Sequence, residues 1–389
     1  MFDSLCLWTS RALVGYLVSC FAYRLSTFEY MPRKEALGVT AWVAAIFSLS
    51  SGKSPVVQGE LAYAALLPAI LLSFRFVWRQ QIRGPPPGQP VGMKGRTVIV
   101  TGSNSGIGVE TARGIAAQGA KVIMACRTKK TADAACADII KTTGNKDVSV
   151  MELDMGSFKS IRAFAAAFTK EHNELDVLVH NAGVMLPSRK TTGDGLDMMM
   201  QVNCFSVYLL TLLLLPLLRK STVTAGARVV LVSSTVHIFP CVYESGFDFE
   251  DPMCENKKYV MLPRYGHSKL GLELFRSELH RRLRAKGDTI RVNTLSPGSI
   301  ATGITRSLHW FLIWGQRLVL PLVNKTVRTG ANTTIHVATA AEIASVSGEF
   351  FEHCEIVPQH DAARDAVASA QLWELAEKLT GFKSEEVGL

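Results

Sequence analysis

No CxxC pair occurs among the eight cysteines of this 389-residue chain, Cys6, Cys20, Cys126, Cys136, Cys204, Cys241, Cys254 and Cys354. Zinc sites and disulfide frameworks need short, regular cysteine spacings, so this scatter excludes both and points to reduced thiols in a reducing compartment. No run of basic residues interleaved with aromatics marks the globular part, and the net charge of +9 is therefore not read as a nucleic-acid footprint. Internal repeats and long low-complexity tracts are also lacking. What the chain has in excess is apolar surface: 48% of its residues are hydrophobic, and residues 1–82 hold much of that share.

Three apolar stretches lie there: Leu5 to Tyr23 (interrupted by Arg11), Ala36 to Ser51 and Leu61 to Trp78. Each is near the lower bound of the roughly 17–25 residues that a membrane-spanning helix requires. The third is the best candidate, since Leu61–Phe74 carries no charge, and Pro68 is tolerated in a membrane helix. Arg24, Arg33 and Lys34 follow the first stretch; Arg75, Arg79, Arg83, Lys94 and Arg96 follow the third. The positive-inside rule then places the remainder of the chain on the cytosolic side. A cleavable signal peptide fits poorly, because Asp3 stands where a basic n-region belongs. Residues 1–82 are thus expected to anchor the chain in lipid. Residues 83–93, with Arg83-Gly-Pro-Pro-Pro-Gly-Gln-Pro90, form a stiff linker.

Beyond Lys94, short β-branched runs alternate with helical patterns. Strands are expected at Thr97–Thr101, Lys121–Cys126, Val148–Asp154, Leu175–Val179, Arg228–Ser233 and Arg291–Leu295. This alternation implies right-handed crossovers and an α/β fold with a doubly wound parallel sheet over residues 94–360, followed by a helical tail at 361–389.

The first strand runs into Gly102-Ser103-Asn104-Ser105-Gly106-Ile107-Gly108, and a helix opens inside this loop. Glycines there permit a tight turn and close approach of a phosphate, which the helix N-terminus then attracts. A carboxylate some 20 positions beyond the glycines would bind the ribose 2′-hydroxyl of NAD. The second strand instead ends in Cys126-Arg127-Thr128, with no acid. Arg127 can pair with a 2′-phosphate, which favours NADP(H).

Tyr265-Gly-His-Ser-Lys269 opens a helix on which residues four apart share a face. A cation near a phenol favours phenolate and is expected to move the tyrosine pKa from about 10 towards neutrality. Tyr-x-x-x-Lys alone is commonly a surface pair. Here Ser234 ends the fifth strand, Asn203 precedes a leucine-rich helix at Leu209–Leu218, and Pro297-Gly298 through Thr302 follow the sixth strand. The carboxyl ends of such strands are where these sheets place their ligands. His267 lies on the far side of the turn from Tyr265 and is expected to pack behind the site.

Taken in order, TGSNSGIG (101–108), LDM (153–155), HNAG (180–183), VN (202–203), VSS (232–234), YGHSK (265–269) and SPGSIAT (296–302) resemble the short-chain dehydrogenase/reductase family over residues 94–360. MACR (124–127) and VVLVSSTVH (229–237) are most similar to its membrane-bound retinol dehydrogenases. The resemblance implies a Rossmann fold, with Tyr265 as acid/base and Lys269 holding the ribose hydroxyls while lowering the tyrosine pKa. It implies Ser234 on the substrate oxygen, Asn203 ordering a water relay, Asp154 at the adenine, and Asn181, Ala182 and Gly183 along the cofactor cleft. Two departures stand out. His180 replaces the family's usual asparagine, so a structural hydrogen bond must be remade, and an acidic insert at Glu244–Asp251 lengthens the path from Ser234 to Tyr265.

Leu308–Val323 (LHWFLIWGQRLVLPLV) occupies the place of the family's substrate-covering segment and is apolar and aromatic. The expected substrate is accordingly lipophilic: a retinoid, steroid, polyprenoid or fatty aldehyde, reduced at the cytosolic face of the endoplasmic reticulum or a related membrane. The Leu209–Leu218 helix resembles the family's dimer surface, which makes a homodimer a candidate assembly. Two other readings are a cofactor-binding membrane scaffold without turnover and an extended-branch epimerase or dehydratase. The intact Ser234, Tyr265 and Lys269 disfavour the first, and the three-residue gap between Gly102 and Gly106 disfavours the second.

Overall fold

The computed structural model describes residues 92–223, 226–239, 242, 246–298, 300 and 325–389, all within the unit Arg75–Leu389. The expected membrane segments in residues 1–82, Thr302 and the Leu308–Val323 stretch lie outside the described residues. Among the described residues one helical stretch, Met198–Arg219, is long and apolar enough to cross a membrane, and it is buried in the core.

Eight strands make one sheet. They are β1 (Thr97–Thr101), β2 (Lys121–Cys126), β3 (Val148–Glu152), β4 (Val177–His180), β5 (Arg228–Val232), β6 (Arg291–Ser296), β7 (Phe350–Glu352) and β8 (Glu355–Ile356). Their spatial order is β3-β2-β1-β4-β5-β6-β7-β8, parallel except for the β7–β8 hairpin. The chain reverses direction across the sheet between β1 and β4, which opens a crevice at their carboxyl ends. Buried on both faces, β1, β4 and β5 are near-continuous runs of Val, Ile and Leu.

Helices α1 (Gly106–Ala116), α2 (Lys129–Thr143) and α6 (Val327–Thr339) contribute to one side of the sheet. Helices α3 (Phe158–Glu171), α4 (Ser206–Arg219), α5 (Met261–Ala285) and α7 (Ala366–Thr380) contribute to the other. Ahead of α4, Gln201–Phe205 is a π-turn, wound one residue wider than an α-helix. The C-terminal segment is part of the core. Trp373 of α7 is 1% exposed, meets Tyr208 edge-on at 5.0 Å and stacks on Phe275 at 5.9 Å. Asp365 caps α7 by accepting from the N–H groups of Val367 and Ala368. The face of α4 that resembled a dimer surface is therefore largely covered within the chain, with every residue from Leu209 to Leu218 buried except Leu213 and Pro216.

Candidate active site

At the end of β1 the backbone turns through Gly102, whose φ of +64° is left-handed. A Cβ there would lie 2.9 Å from the Cα of Ala182, and one at Gly108 would strike Asn181 Nδ2 and the Gly102 carbonyl. Asn181 locks the turn from across the crevice: its Nδ2 donates to Thr101 O at 2.9 Å and Gly102 O at 3.2 Å. Thr101 Oγ1 in turn accepts from the N–H groups of Asn181 and Ala182, both at 3.0 Å. Sequence reasoning missed this role for Thr101, although the residue begins the glycine motif.

Beside the loop lies a cleft of about 580 Å³, lined by Gly102, Asn104 to Gly108, Arg127, Asp154, Asn181, Ala182 and Gly183 among others. Ser103 is not among these residues. It is fully buried, and its Oγ donates to Val100 O at 2.9 Å. Exposed Arg127 and Thr128 close one end, near Asn104, whose Nδ2 donates to Thr131 Oγ1 at 2.8 Å. Asp154 Oδ1 accepts from Gly156 N at 2.8 Å. Val184 to Leu186 and Val202 also line the cleft. Main-chain groups, a helix N-terminus and one exposed guanidinium suit a dinucleotide phosphate, and added side chains at Gly102 and Gly108 would fill the cradle.

Asn203 connects Val184 to α5. The π-turn directs its amide so that Oδ1 accepts from Val184 N at 2.8 Å, while Nδ2 donates to Val184 O and Ser268 Oγ, each at 2.9 Å. Ser268 Oγ donates to Tyr265 O at 2.7 Å, so Asn203 is tied to the turn that carries Tyr265 and Lys269. Ser234 lies within hydrogen-bonding reach of the Tyr265 phenol. The Lys269 ammonium donates to Val232 O at 2.9 Å and sits 5.6 Å from the centre of the Tyr265 ring. Asn203, Ser234, Tyr265 and Lys269 thus meet at the carboxyl end of β5. None of the four lines the 580 Å³ cleft itself.

The expected fall in the Tyr265 pKa does not occur. Burial pushes the phenol up to about 12, with Ser234 the group that draws it down. Burial also lowers Lys269, to about 8, against the opposing pull of Glu273 and Cys204. Desolvation penalises both charged forms, the phenolate and the ammonium.

His237 is 1% exposed; its Nδ1 lies 2.5 Å from Ser234 O, and its ring meets Phe350 edge-on at 5.2 Å. His267 is half-buried, its pKa lowered by burial and by Arg264, and it bonds to the Gly246 backbone behind the site. His180, the departure noted in the HNAG motif, pairs Nε2 with Thr211 Oγ1 at 2.8 Å. The described part of the acidic insert is built in rather than loose. Phe247 is 7% exposed, and Asp251 accepts from the N–H groups of Glu255, Asn256 and Lys257. Pro297 is buried, and Gly298 (φ +80°) donates to Ser296 Oγ at 3.2 Å beyond β6.

Comparison with known proteins agrees with this geometry. The short chain dehydrogenase family model matches residues 96–245. Retinol dehydrogenase 12 of Mus musculus is 38% identical over 76% of this chain and 89% of its own length. Retinol dehydrogenase 13 of Homo sapiens is 37% identical over 75% and 87%, and retinol dehydrogenase 14 of Homo sapiens 35% identical over 82% and 98%. Among solved structures, an uncharacterised protein of Mycobacterium paratuberculosis superposes with a TM-score of 0.61 at 31% identity, over 77% of this chain and 98% of that one. The Pseudomonas aeruginosa RhlG, solved as an NADP active-site complex, gives 0.53 at 25% identity, over 67% and 94%. The chain belongs to the short-chain dehydrogenase/reductase family of oxidoreductases, in its retinol dehydrogenase-like branch.

Proposed function

We propose that this chain is a membrane-anchored, NADP(H)-dependent oxidoreductase that interconverts a lipophilic aldehyde or ketone with its alcohol. The observation that carries the reading is the convergence of Ser234, Tyr265, Lys269 and Asn203 just past the inner end of the glycine-loop cleft. When bound, NADPH supplies the hydride. The loop from Gly102 to Gly108 and the N-terminus of α1 would hold its pyrophosphate, Asp154 its adenine and Asn181 to Gly183 its ribose side, with Pro297, Gly298 and Thr302 beyond β6. Arg127, with no acid beside it at the end of β2, would take the 2′-phosphate.

In this reading Ser234 donates a hydrogen bond to the substrate oxygen, and Tyr265 delivers a proton to it. In carbonyl reduction the phenol gives its proton to the developing alkoxide, and in alcohol oxidation the phenolate takes it back. Lys269 would hold the ribose hydroxyls, and Asn203 would keep the Tyr265–Lys269 turn aligned. Support for a lipophilic substrate comes from the apolar sequences of residues 1–82 and 308–323 and from the retinol dehydrogenase relatives. Retinoids, polyprenoids, steroids and fatty aldehydes are the candidate classes. The basic residues after Leu61–Trp78 support a catalytic domain facing the cytosol, on the endoplasmic reticulum or a related membrane.

The test presents detergent-solubilised full chain with NADPH or NADH and a panel of lipophilic and small polar carbonyls. Turnover of lipophilic aldehydes with a lower KM for NADPH is expected. Tighter use of NADH would remove the cofactor assignment, and reduction of small polar carbonyls alone would remove the substrate class.

A further inference from the structure

We propose that Glu273 is a positioning residue for this chemistry, a buried carboxylate whose negative charge holds the Lys269 ammonium at the end of β5. The inference rests on the proposed roles of Tyr265 and Lys269. On α5, Tyr265, Lys269 and Glu273 follow one another at intervals of four and share a face. Glu273 is 0% exposed. A carboxylate so deep costs several kcal/mol unless charges and donors compensate it.

The compensation is incomplete on one side. Oε2 accepts from Thr294 Oγ1 at 2.7 Å and Gln359 Nε2 at 2.8 Å, with Arg276 Nε at 3.6 Å. Oε1 has no hydrogen-bond partner among the described residues. Arg276 is itself shared, donating to Gly348 O and to Gln359 Oε1 at 2.6 Å. Lys269 lies one turn back along the helix, likewise cut off from water at 4% exposure, and Glu273 acts on it through its charge rather than by direct contact. Among the described residues, the titratable groups facing Lys269 are Tyr265, Cys204 and Glu273, and those facing Glu273 are Lys269 and Arg276, with Glu349 and Arg364 acting on Arg276. Glu273 is the foremost of the groups that oppose the loss of the lysine proton.

The experiment follows NADPH affinity and kcat/KM of the full chain from pH 6 to 10. In the wild type, both are expected to fall as Lys269 loses its proton, near its pKa of about 8. Glu273→Gln keeps the shape and removes the charge, so this alkaline limb is expected to move down by about one pH unit, with activity at pH 6 retained. Glu273→Leu, which fills the site with an apolar side chain, should show the same displacement should the glutamine variant not fold. Thr294→Val removes a donor from the same carboxylate and keeps its charge; it is expected to lower Tm and leave the limb in place. A limb unmoved in both Glu273 variants, or moved equally by Thr294→Val, overturns the proposal. Turnover surviving in Tyr265→Phe would instead overturn the proposed function, so the two failures are distinguishable.

Discussion

The two ends of the crevice are built from different materials. At the cofactor end, Gly102, Gly108 and the Thr101–Asn181 clasp arrange main-chain groups around an open cleft, and its guanidinium, Arg127, is exposed. At the catalytic end, Asn203, Tyr265, Lys269 and Glu273 are all less than a tenth exposed, and two ionisable groups there are shifted by burial. An anion that arrives with its cofactor can be met by dipoles and a surface guanidinium. At the other end, burial is the largest influence on the charge of Tyr265 and Lys269.

The sharpest way to break the contrast is Tyr265→Phe. Loss of the buried acid is expected to reduce turnover about 10²–10⁴-fold while NADPH affinity, measured by cofactor fluorescence, stays near wild type. If affinity collapsed with turnover, the two ends would not be separable. Next in size is Trp373→Ala, which strips the cover from Tyr208 and Phe275 and is expected to cost about 3–5 kcal/mol in chemical denaturation. A loss confined to the catalytic end would appear as accelerated amide exchange in α4 and α5, with β1 to β3 protected.

Arg127→Ala tests the cofactor end in turn. Removing one charge-assisted contact worth about 1.5–3 kcal/mol should raise KM for NADPH roughly ten- to a hundredfold and leave NADH unaffected. Smallest is the effect of His180→Asn. Burial lowers His180 to about 3 in the folded chain from the ordinary histidine value of 6.5. Between those values the unfolded chain binds the extra proton, so its stabilising contribution is complete above pH 6.5 and declines as pH falls. The expected slope is up to about 1.4 kcal/mol per pH unit. The asparagine variant should show a flatter acid limb in urea titrations from pH 7 to 5.

Legibility in the sequence followed the same division. The glycine loop and β1, β2 and β5 were readable because turn chemistry and apolar runs are local signals, and the observed strands agree within a residue or two. Strands β7 and β8, of three and two residues, carry too short a pattern to be seen. Residues 361–389 read as a tail, yet Trp373 anchors them in the core, a contact that links positions far apart in the chain. The Tyr265 pKa went the opposite way from the expectation because spacing reveals a neighbouring cation and says nothing of the water removed around both. Likewise His180 finds Thr211 across 31 residues, beyond any motif, and Glu273 gives no sign of its depth until Thr294 and Gln359 close over it.

The π-turn at Gln201–Phe205 has a consequence for how this region tolerates change. One surplus residue in the coil lets Asn203 face Val184 while Ser206 onward keeps an ordinary helical phase. A single deletion in this stretch would let the coil relax to regular pitch and rotate either the amide or the whole leucine-rich helix by about 100°. Substitutions along α4 would then be graded by size alone, whereas length changes at its start would be all or none.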